Sequence, residues 1–264
     1  MSATKGPSKL LIAAAVLIGV WLLAPMLVVI PMSLTDRRSL GFPPSGWSLQ
    51  WYERFFTEEQ WHGALLTSVQ IALLVTVLAT VFGTAAAFAL VRGRFPGKGA
   101  VNALLLAPLV VPVVIVAIAV FGVYLRWQLS GTVLGFVMAH TALALPFVII
   151  TVSASLRGFD RRLELAAANL GASPATTFRK VTLPLILPGV LSGALFAFIT
   201  SFDEVVVALF LQSPDVRTLP VQMFTSVTRE VDPTIAAAST MILVLTTALL
   251  VLFAFTRRQE EHVH

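Results

Sequence analysis

Six long apolar stretches, separated by shorter polar segments, dominate the pattern of this 264-residue chain. A helix that crosses a membrane needs about 20 consecutive apolar residues, and each stretch reaches that length. The alternating pattern typical of a membrane β-strand is missing from them. The sequence therefore predicts an all-α membrane protein with six transmembrane helices. The predicted spans are 10–32, 64–91, 101–125, 132–153, 187–211 and 234–256.

Two of these stretches carry further signals. Lys5 and Lys9 precede the first, as in a secretory signal peptide, but its apolar run exceeds the roughly 7–15 residues of a typical signal core. We therefore expect a retained first helix. In the third stretch Pro108 and Pro112 lie one turn apart, and prolines in membrane helices often mark a kink or a packing face.

Composition supports the membrane class. Hydrophobic residues make up 57% of the chain and charged residues 12%, and the mean hydropathy is +0.90. A soluble domain has roughly 25% charged residues, so a soluble helical bundle of this composition could not cover its surface. The chain has no cysteine, which excludes a disulfide framework and a Cys-based zinc site.

The positive charge of the chain is a topology signal. The net charge is +5 and the pI is ≈ 10.2, but the basic residues are scattered over the loops, which argues against a nucleic-acid partner. With both termini inside, twelve Lys and Arg residues fall in inner segments and six in outer loops, which together are the 18 of the chain. Because cytoplasmic loops carry the excess of Lys and Arg, we predict that both termini are cytoplasmic.

The longest predicted outer loop, 33–62, joins the turn-rich segment GFPPSG to a short helical pattern in SLQWYERFF. A short interfacial helix fits this pattern. Aromatic residues gather at the predicted outer interface, where we interpret them as membrane anchors rather than ligand-binding residues. They are Trp47, Trp51, Tyr52, Trp61, Tyr124 and Trp127.

The longest predicted inner loop, 154–186, begins with the pattern of a short helix. Gly171 follows this helix at the position where helices commonly end. The apolar residues that recur at the spacing of one helix face are Leu163, Ala166, Ala167 and Leu170.

A second short helix is predicted directly afterwards. Ser173 fits an N-cap and Pro174 the first helical position, so a helix over 175–180 is expected. Pro184 and Pro188 are expected to close this unit before the fifth span. This local pattern fits equally well a helix that docks into the groove of a partner and an ordinary helix at the membrane surface.

The segment ELAAANLGASPATTFRKVTLPLILPG, residues 164–189, resembles the EAA motif of bacterial ABC-importer permeases. One position departs from the motif, because Leu165 directly precedes the alanine pair and the acid lies one residue earlier, at Glu164. The positions that match are Ala166, Ala167, Gly171, Val181, Leu183 and Pro184.

The resemblance implies a single permease domain over residues 1–264, with a cytoplasmic coupling helix between helices 4 and 5. In such permeases this helix sits in a groove of a separate ATPase homodimer, which uses the ATP and Mg²⁺, so no cofactor is expected in this chain. The residues to which the resemblance assigns ATPase coupling are Glu164, Ala166, Ala167, Gly171, Ala172, Ser173 and Pro184.

Two further segments, FPPSGWSLQWYERFF and SFDEVVVALFLQSPDVRTLPVQMF, resemble permeases for polyamines such as spermidine and putrescine. The resemblance implies a bacterial inner-membrane protein that pairs with a second, different permease. A periplasmic or lipid-anchored binding protein would deliver the solute. Relatives of similar pattern carry other small cations, amino-acid derivatives or opines, so the solute stays open.

Asp203 and Glu204 lie inside the apolar fifth stretch, where a carboxylate costs roughly 2.5–3.5 kcal/mol at mid-membrane. The predicted spans contain no Lys or Arg to pair with them. Neighbouring helix positions point about 100° apart, so we hypothesise that one acid lines a cation path and the other bonds a neighbouring helix or subunit. The alternative is that both are structural. His140, at comparable depth, is assigned no function.

Sequence motifs for chemistry are absent. The chain has no GxxxxGK[ST] phosphate loop, no HExxH metal site and no G-x-S-x-G nucleophile elbow. His262 and His264, with the two other histidines, do not form a metal centre. We therefore expect a transporter subunit and not an enzyme. The buried acids favour a self-sufficient ion-coupled transporter as the alternative, but six spans without an evident inverted repeat argue against it.

Overall fold

The computed structural model describes residues 9–229 and 232–261, which leaves Lys5, His262 and His264 outside the described residues. Most described residues are helical, as predicted. The chain divides into two compact units, one formed by 63–222 and the other by the segments before and after it. The α-helices are α1 (Lys9–Met32), α2 (Gln50–Thr57), α3 (Glu59–Arg92), α4 (Lys98–Leu106), α5 (Val113–Trp127), α6 (Val133–Gly158), α7 (Arg162–Asn169), α8 (Pro174–Thr177), α9 (Leu183–Phe202), α10 (Val206–Leu211), α11 (Leu219–Arg229) and α12 (Thr234–Glu261).

Several described helices are long and apolar enough to cross a membrane. A fifth span is present if the bent pair 98–109 and 113–127 counts as one. The all-α class is thus confirmed, whereas the count of six spans stays a prediction. The four helices that qualify by themselves are Leu10–Met32, Glu59–Arg92, Val133–Gly158 and Pro174–Phe202.

The third predicted stretch is bent by 101° between α4 and α5. A 3₁₀ turn, Ala107–Leu109, contains Pro108, and Pro112 precedes α5 in an extended conformation with ψ 126°. Proline has no N–H to donate and its ring clashes with the preceding turn. The two prolines indicated by the sequence therefore separate two helices, rather than kinking one.

Helices α6 and α9 share an extensive contact in the unit 63–222. A Cβ atom on Gly193 of α9 would lie 2.6 Å from Thr151 Oγ1 and 3.0 Å from Val148 Cα of α6, and one on Gly189 would overlap Ser155. Only glycine permits such an approach, as is common where membrane helices pack closely. This contact fixes α9, and the two acids directly follow its last residue.

The short helix predicted in 33–62 is present as α2 in the other unit, where it packs on α12. Trp51 is only 4% exposed, and its indole N–H donates to the Thr35 carbonyl at 2.7 Å. Trp61 is fully buried and packs against Phe55. Trp51 and Trp61 are thus core residues rather than membrane anchors, because they lie on the inward face of this amphipathic segment. Trp47, 71% exposed, keeps the exposure expected of an anchor.

Replacing Gly193 by alanine is expected to lower the free energy of unfolding by about 1–3 kcal/mol relative to replacing Gly122, because the added methyl overpacks the α6–α9 contact. Gly122 in α5 is the matched control, since a Cβ there has nothing within 4 Å and both changes gain the same helix propensity. Thermal unfolding in one mild detergent measures the difference. Equal unfolding midpoints would contradict the predicted overlap.

Candidate functional site

The helix predicted over 163–170 is present as α7, and a tight turn ends it. Gly171 has φ +83°, a conformation that glycine adopts without strain. The Gly171 N–H donates to the Ala168 carbonyl at 2.9 Å and the Ala172 N–H to the Ala167 carbonyl at 3.0 Å. This is a Schellman motif, so the direction in which the chain leaves α7 is set by its own hydrogen bonds.

The next helix begins as the sequence indicates. Ser173 is the N-cap, its hydroxyl accepts the Thr176 N–H at 3.3 Å, and Pro174 opens α8. The expectation that Pro184 and Pro188 close the unit is wrong, because the chain stays helical from Pro174 to Phe202. A π-helical turn, Phe178–Thr182, joins α8 to α9, and Pro184 lies directly after it as the second residue of α9.

Most of the predicted coupling residues lie in α7 and the turn after it, whereas Pro184 lies in α9. Exposed residues are Ala166, Gly171, Ser173 and Pro184, and half-buried ones are Ala167 and Ala172. Two apolar side chains of the same segment are also solvent-facing, with Leu165 64% and Leu170 89% exposed. The surface of this helix and turn therefore combines small residues with two exposed leucines.

The Glu164 side chain bonds with two other side chains of this protein. Its carboxylate lies 2.8 Å from Arg92 Nη1 at the end of α3 and accepts the Thr182 hydroxyl of the π-helical turn. The side chains of Arg92 and Glu164 are 21% and 18% exposed. The Arg92 guanidinium also lies over the rings of Phe88 and Phe159, at 4.9 and 5.4 Å from their centroids. Sequence reasoning counted Arg92 only as a topology signal and missed this role.

A cavity of about 360 Å³ lies beside this ion pair. Two buried nitrogens of Arg92, Nε and Nη2, have no hydrogen-bond acceptor among the described residues. Glu164 is the acidic side chain that forms the ion pair with Arg92. The cavity is lined by Arg92, Glu164, Ala168, Ala172, Pro174, Thr177, Phe178 and Thr182.

The two acids of the fifth stretch sit at a helix break. The stretch predicted as continuous over 187–211 is interrupted, because α9 ends at Phe202 and α10 starts at Val206. The Glu204 carboxylate accepts the backbone N–H groups of Val206, Val207 and Ala208 at 3.0, 3.1 and 3.0 Å. A carboxylate at a helix N-terminus satisfies free donors and meets the positive end of the helix dipole.

Asp203 has a different environment. It follows the last residue of α9 and is exposed, whereas the Glu204 side chain is only 8% exposed. Behind Glu204, the buried His140 of α6 places Nε2 3.7 Å from the Glu204 carboxylate and Nδ1 3.1 Å from the Ser201 hydroxyl. The break thus turns one acid toward the protein interior and leaves its neighbour at the surface.

Proteins with assigned transport roles resemble most of this chain. The spermidine/putrescine transport system permease protein PotC of Haemophilus influenzae is 36% identical over 242 residues, which cover 92% of this chain and 94% of that protein. The putrescine transport system permease protein PotI of Escherichia coli K12 is 36% identical over 84% of this chain and 82% of its own length. The molybdenum transport system permease protein ModB of Mycobacterium bovis is 37% identical over 72% of this chain and 76% of its own.

A solved structure shares the fold. A bacterial ABC transporter involved in the import of the acidic polysaccharide alginate superimposes with a TM-score of 0.71 at 17% identity, over 97% of this chain and 99% of that one. Residues 79–263 match the family described as binding-protein-dependent transport system inner membrane component. This match covers most of the chain and agrees with the relatives and the fold. The chain therefore belongs to the family of inner-membrane components of binding-protein-dependent transport systems.

Proposed function

We propose that this chain is a permease subunit of an ATP-driven importer for a small cationic solute, with a polyamine such as putrescine or spermidine as the first candidate. The observation that carries this proposal is the 36% identity to two polyamine permeases over 92% and 84% of the chain. Family membership supports the permease role. The solute is inferred from the relatives and from the exposed carboxylate at the helix break.

Coupling to a separate ATPase homodimer, which holds the ATP and Mg²⁺, is assigned to α7 and the turn after it. Two features support this assignment. Leu165 and Leu170 are apolar and 64% and 89% exposed, as expected of side chains that enter a partner's groove. The Schellman turn at Gly171 holds their backbone in one conformation, which lowers the conformational entropy lost on docking.

The assembly follows from the same proposal. Six spans with both termini cytoplasmic place α7 on the side of the ATPase and the segment 33–62 on the side of a periplasmic or lipid-anchored binding protein. A second, different permease completes the path in the bacterial inner membrane. A bacterial alginate ABC transporter of similar fold has been solved in complex with an alginate-bound periplasmic protein, which supports the expectation of a binding protein as a partner.

Within this assembly we assign the path to Asp203 and a structural role to Glu204. Asp203 is exposed, so its carboxylate is free to meet a passing cation. Glu204 already accepts three backbone N–H groups and lies against His140. An acid at membrane depth that is exposed typically marks a solute path.

A second candidate solute is an oxyanion, because a relative named for molybdenum transport is 37% identical over 72% of the chain. An amino-acid derivative or an opine is a further candidate. The sign of charge separates the first two candidates. An exposed carboxylate in the path attracts a polyamine and repels an oxyanion.

Replacing Ala166 by arginine is expected to release the ATPase, because a long charged side chain would replace a small exposed one on α7. Pull-down of the tagged chain in mild detergent, with mass spectrometry, measures the amount of co-purified ATPase and second permease. Ala100→Arg is the control, since it adds the same charge at an exposed alanine of α4. Equal ATPase recovery from both variants would contradict the docking role of α7.

Asp203→Asn is expected to reduce uptake at low polyamine concentration roughly tenfold or more, because it removes a charge-assisted interaction of about 1.5–3 kcal/mol. Glu204→Gln is instead expected to lower the free energy of unfolding by about 1 kcal/mol through a weaker helix cap. Uptake by proteoliposomes containing the whole importer and thermal unfolding of each variant measure the two effects. Normal uptake by Asp203→Asn would remove this residue from the path.

The binding protein of the same system is expected to be stabilised by putrescine or spermidine and not by molybdate. At a ligand concentration 100 times Kd the gain is about 2.7 kcal/mol, which a thermal-shift assay detects readily. Stabilisation by molybdate alone would replace the polyamine proposal with the oxyanion one. Stabilisation by neither would direct the search to amino-acid derivatives and opines.

A further inference from the structure

Three segments that are distant along the chain meet at the ion pair of Glu164. Arg92 ends α3, Glu164 lies in the first turn of α7, and Thr182 ends the π-helical turn that leads into α9. We call these three residues, with Phe88 and Phe178, the Arg92 cluster. It connects the proposed coupling helix with two of the apolar helices long enough to span a membrane.

Aromatic contacts brace the polar centre of the Arg92 cluster. The Phe88 ring of α3 packs edge-on against Phe178 of the π-helical turn, with centroids 5.7 Å apart. The same ring carries the Arg92 guanidinium, at 4.9 Å. Cation–π contact and ring packing therefore hold α3 and the turn together independently of Glu164, while the carboxylate adds α7 to them.

The Glu164 carboxylate is strongly engaged inside the chain. Arg92 Nη1 and the Thr182 hydroxyl both bond Oε1, and the side chain is 18% exposed. Removing it would leave a largely buried guanidinium without a counter-charge, and breaking a buried pair in this way is strongly unfavourable. The Glu164 carboxylate therefore holds α7 against α3 and the π-helical turn. The neighbouring side chain of Leu165 is exposed.

We propose that Arg92, acting through Glu164, is the positioning residue that transmits displacement of α7 to α3 and α9 during transport. This inference rests on the proposed function, in which an ATPase moves α7. The ion pair joins α7 to α3 directly, although 72 positions (164 − 92) separate the two residues along the chain. Loss of the pair would let α7 move with the ATPase while the spans lag behind, so ATP would be hydrolysed without transport.

The experiment measures solute transported per ATP hydrolysed in proteoliposomes that hold the complete importer. Arg92→Gln and Glu164→Gln are each expected to lower this ratio roughly fivefold or more, the lower range of typical coupling between sites. ATPase co-purification is expected to remain at the wild-type level. The exchanged pair, Arg92→Glu with Glu164→Arg, is expected to recover part of the ratio because it restores opposite charges.

Arg94→Gln is the matched control, since Arg94 lies two residues from Arg92 but is exposed. It should leave the ratio unchanged. A normal ratio in Arg92→Gln and Glu164→Gln would overturn the proposal. So would loss of the ATPase from Glu164→Gln alone, because the carboxylate would then be a direct ATPase contact.

Thr182→Val keeps the test decisive if the charge variants do not fold. It removes one hydrogen bond to Glu164, leaves the ion pair in place, and should lower the ratio about twofold, which is less than the fivefold expected for the charge variants. An unchanged ratio in a folded Thr182→Val would count against the proposal. Failure of the proposed function has a separate signature, since the wild-type importer itself would then show no ATP-dependent uptake.

Discussion

The structure depends on one constraint: in an apolar environment, backbone N–H and C=O groups must find partners within the protein. Regular helix satisfies this automatically, so each interruption requires a specific compensation. The end of α7 is exposed, and there the Schellman hydrogen bonds of Gly171 and Ala172 also pair the free groups within the chain. At the α9–α10 break the Glu204 carboxylate accepts three N–H groups of the next helix. The positions of chemical interest in this chain are these compensated interruptions.

The break after α9 gives the adjacent acids Asp203 and Glu204 different environments. In a continuous helix both would be costly at membrane depth, and neither would have an evident partner. The break gives Glu204 a set of backbone donors and the neighbouring His140, while Asp203 stays exposed. The close α6–α9 contact at Gly193 supports this arrangement, because it fixes the helix that precedes Asp203 against the helix that contains His140.

The loop before α9 shows a similar division. Glu164 faces Arg92 and Thr182 within the chain, whereas Leu165 and Leu170 face outward. One side of α7 is therefore bonded to α3 and to the π-helical turn, and the other exposes apolar side chains. An attachment to its own chain on one side and exposed apolar side chains on the other are what the proposed coupling role of α7 requires.

Local residue chemistry determined much of this protein from the sequence alone. The apolar stretches, the end of α7 at Gly171, the N-cap at Ser173 and the family resemblance depend on neighbouring residues or on their order. Tertiary structure decided the rest. The pairs Arg92–Glu164 and His140–Glu204 join residues far apart in sequence, and no local pattern encodes which distant side chains will meet. Pro184 is a case in which a local pattern misled. Proline usually ends a helix, but here a π-helical turn precedes Pro184 and the helix continues through it.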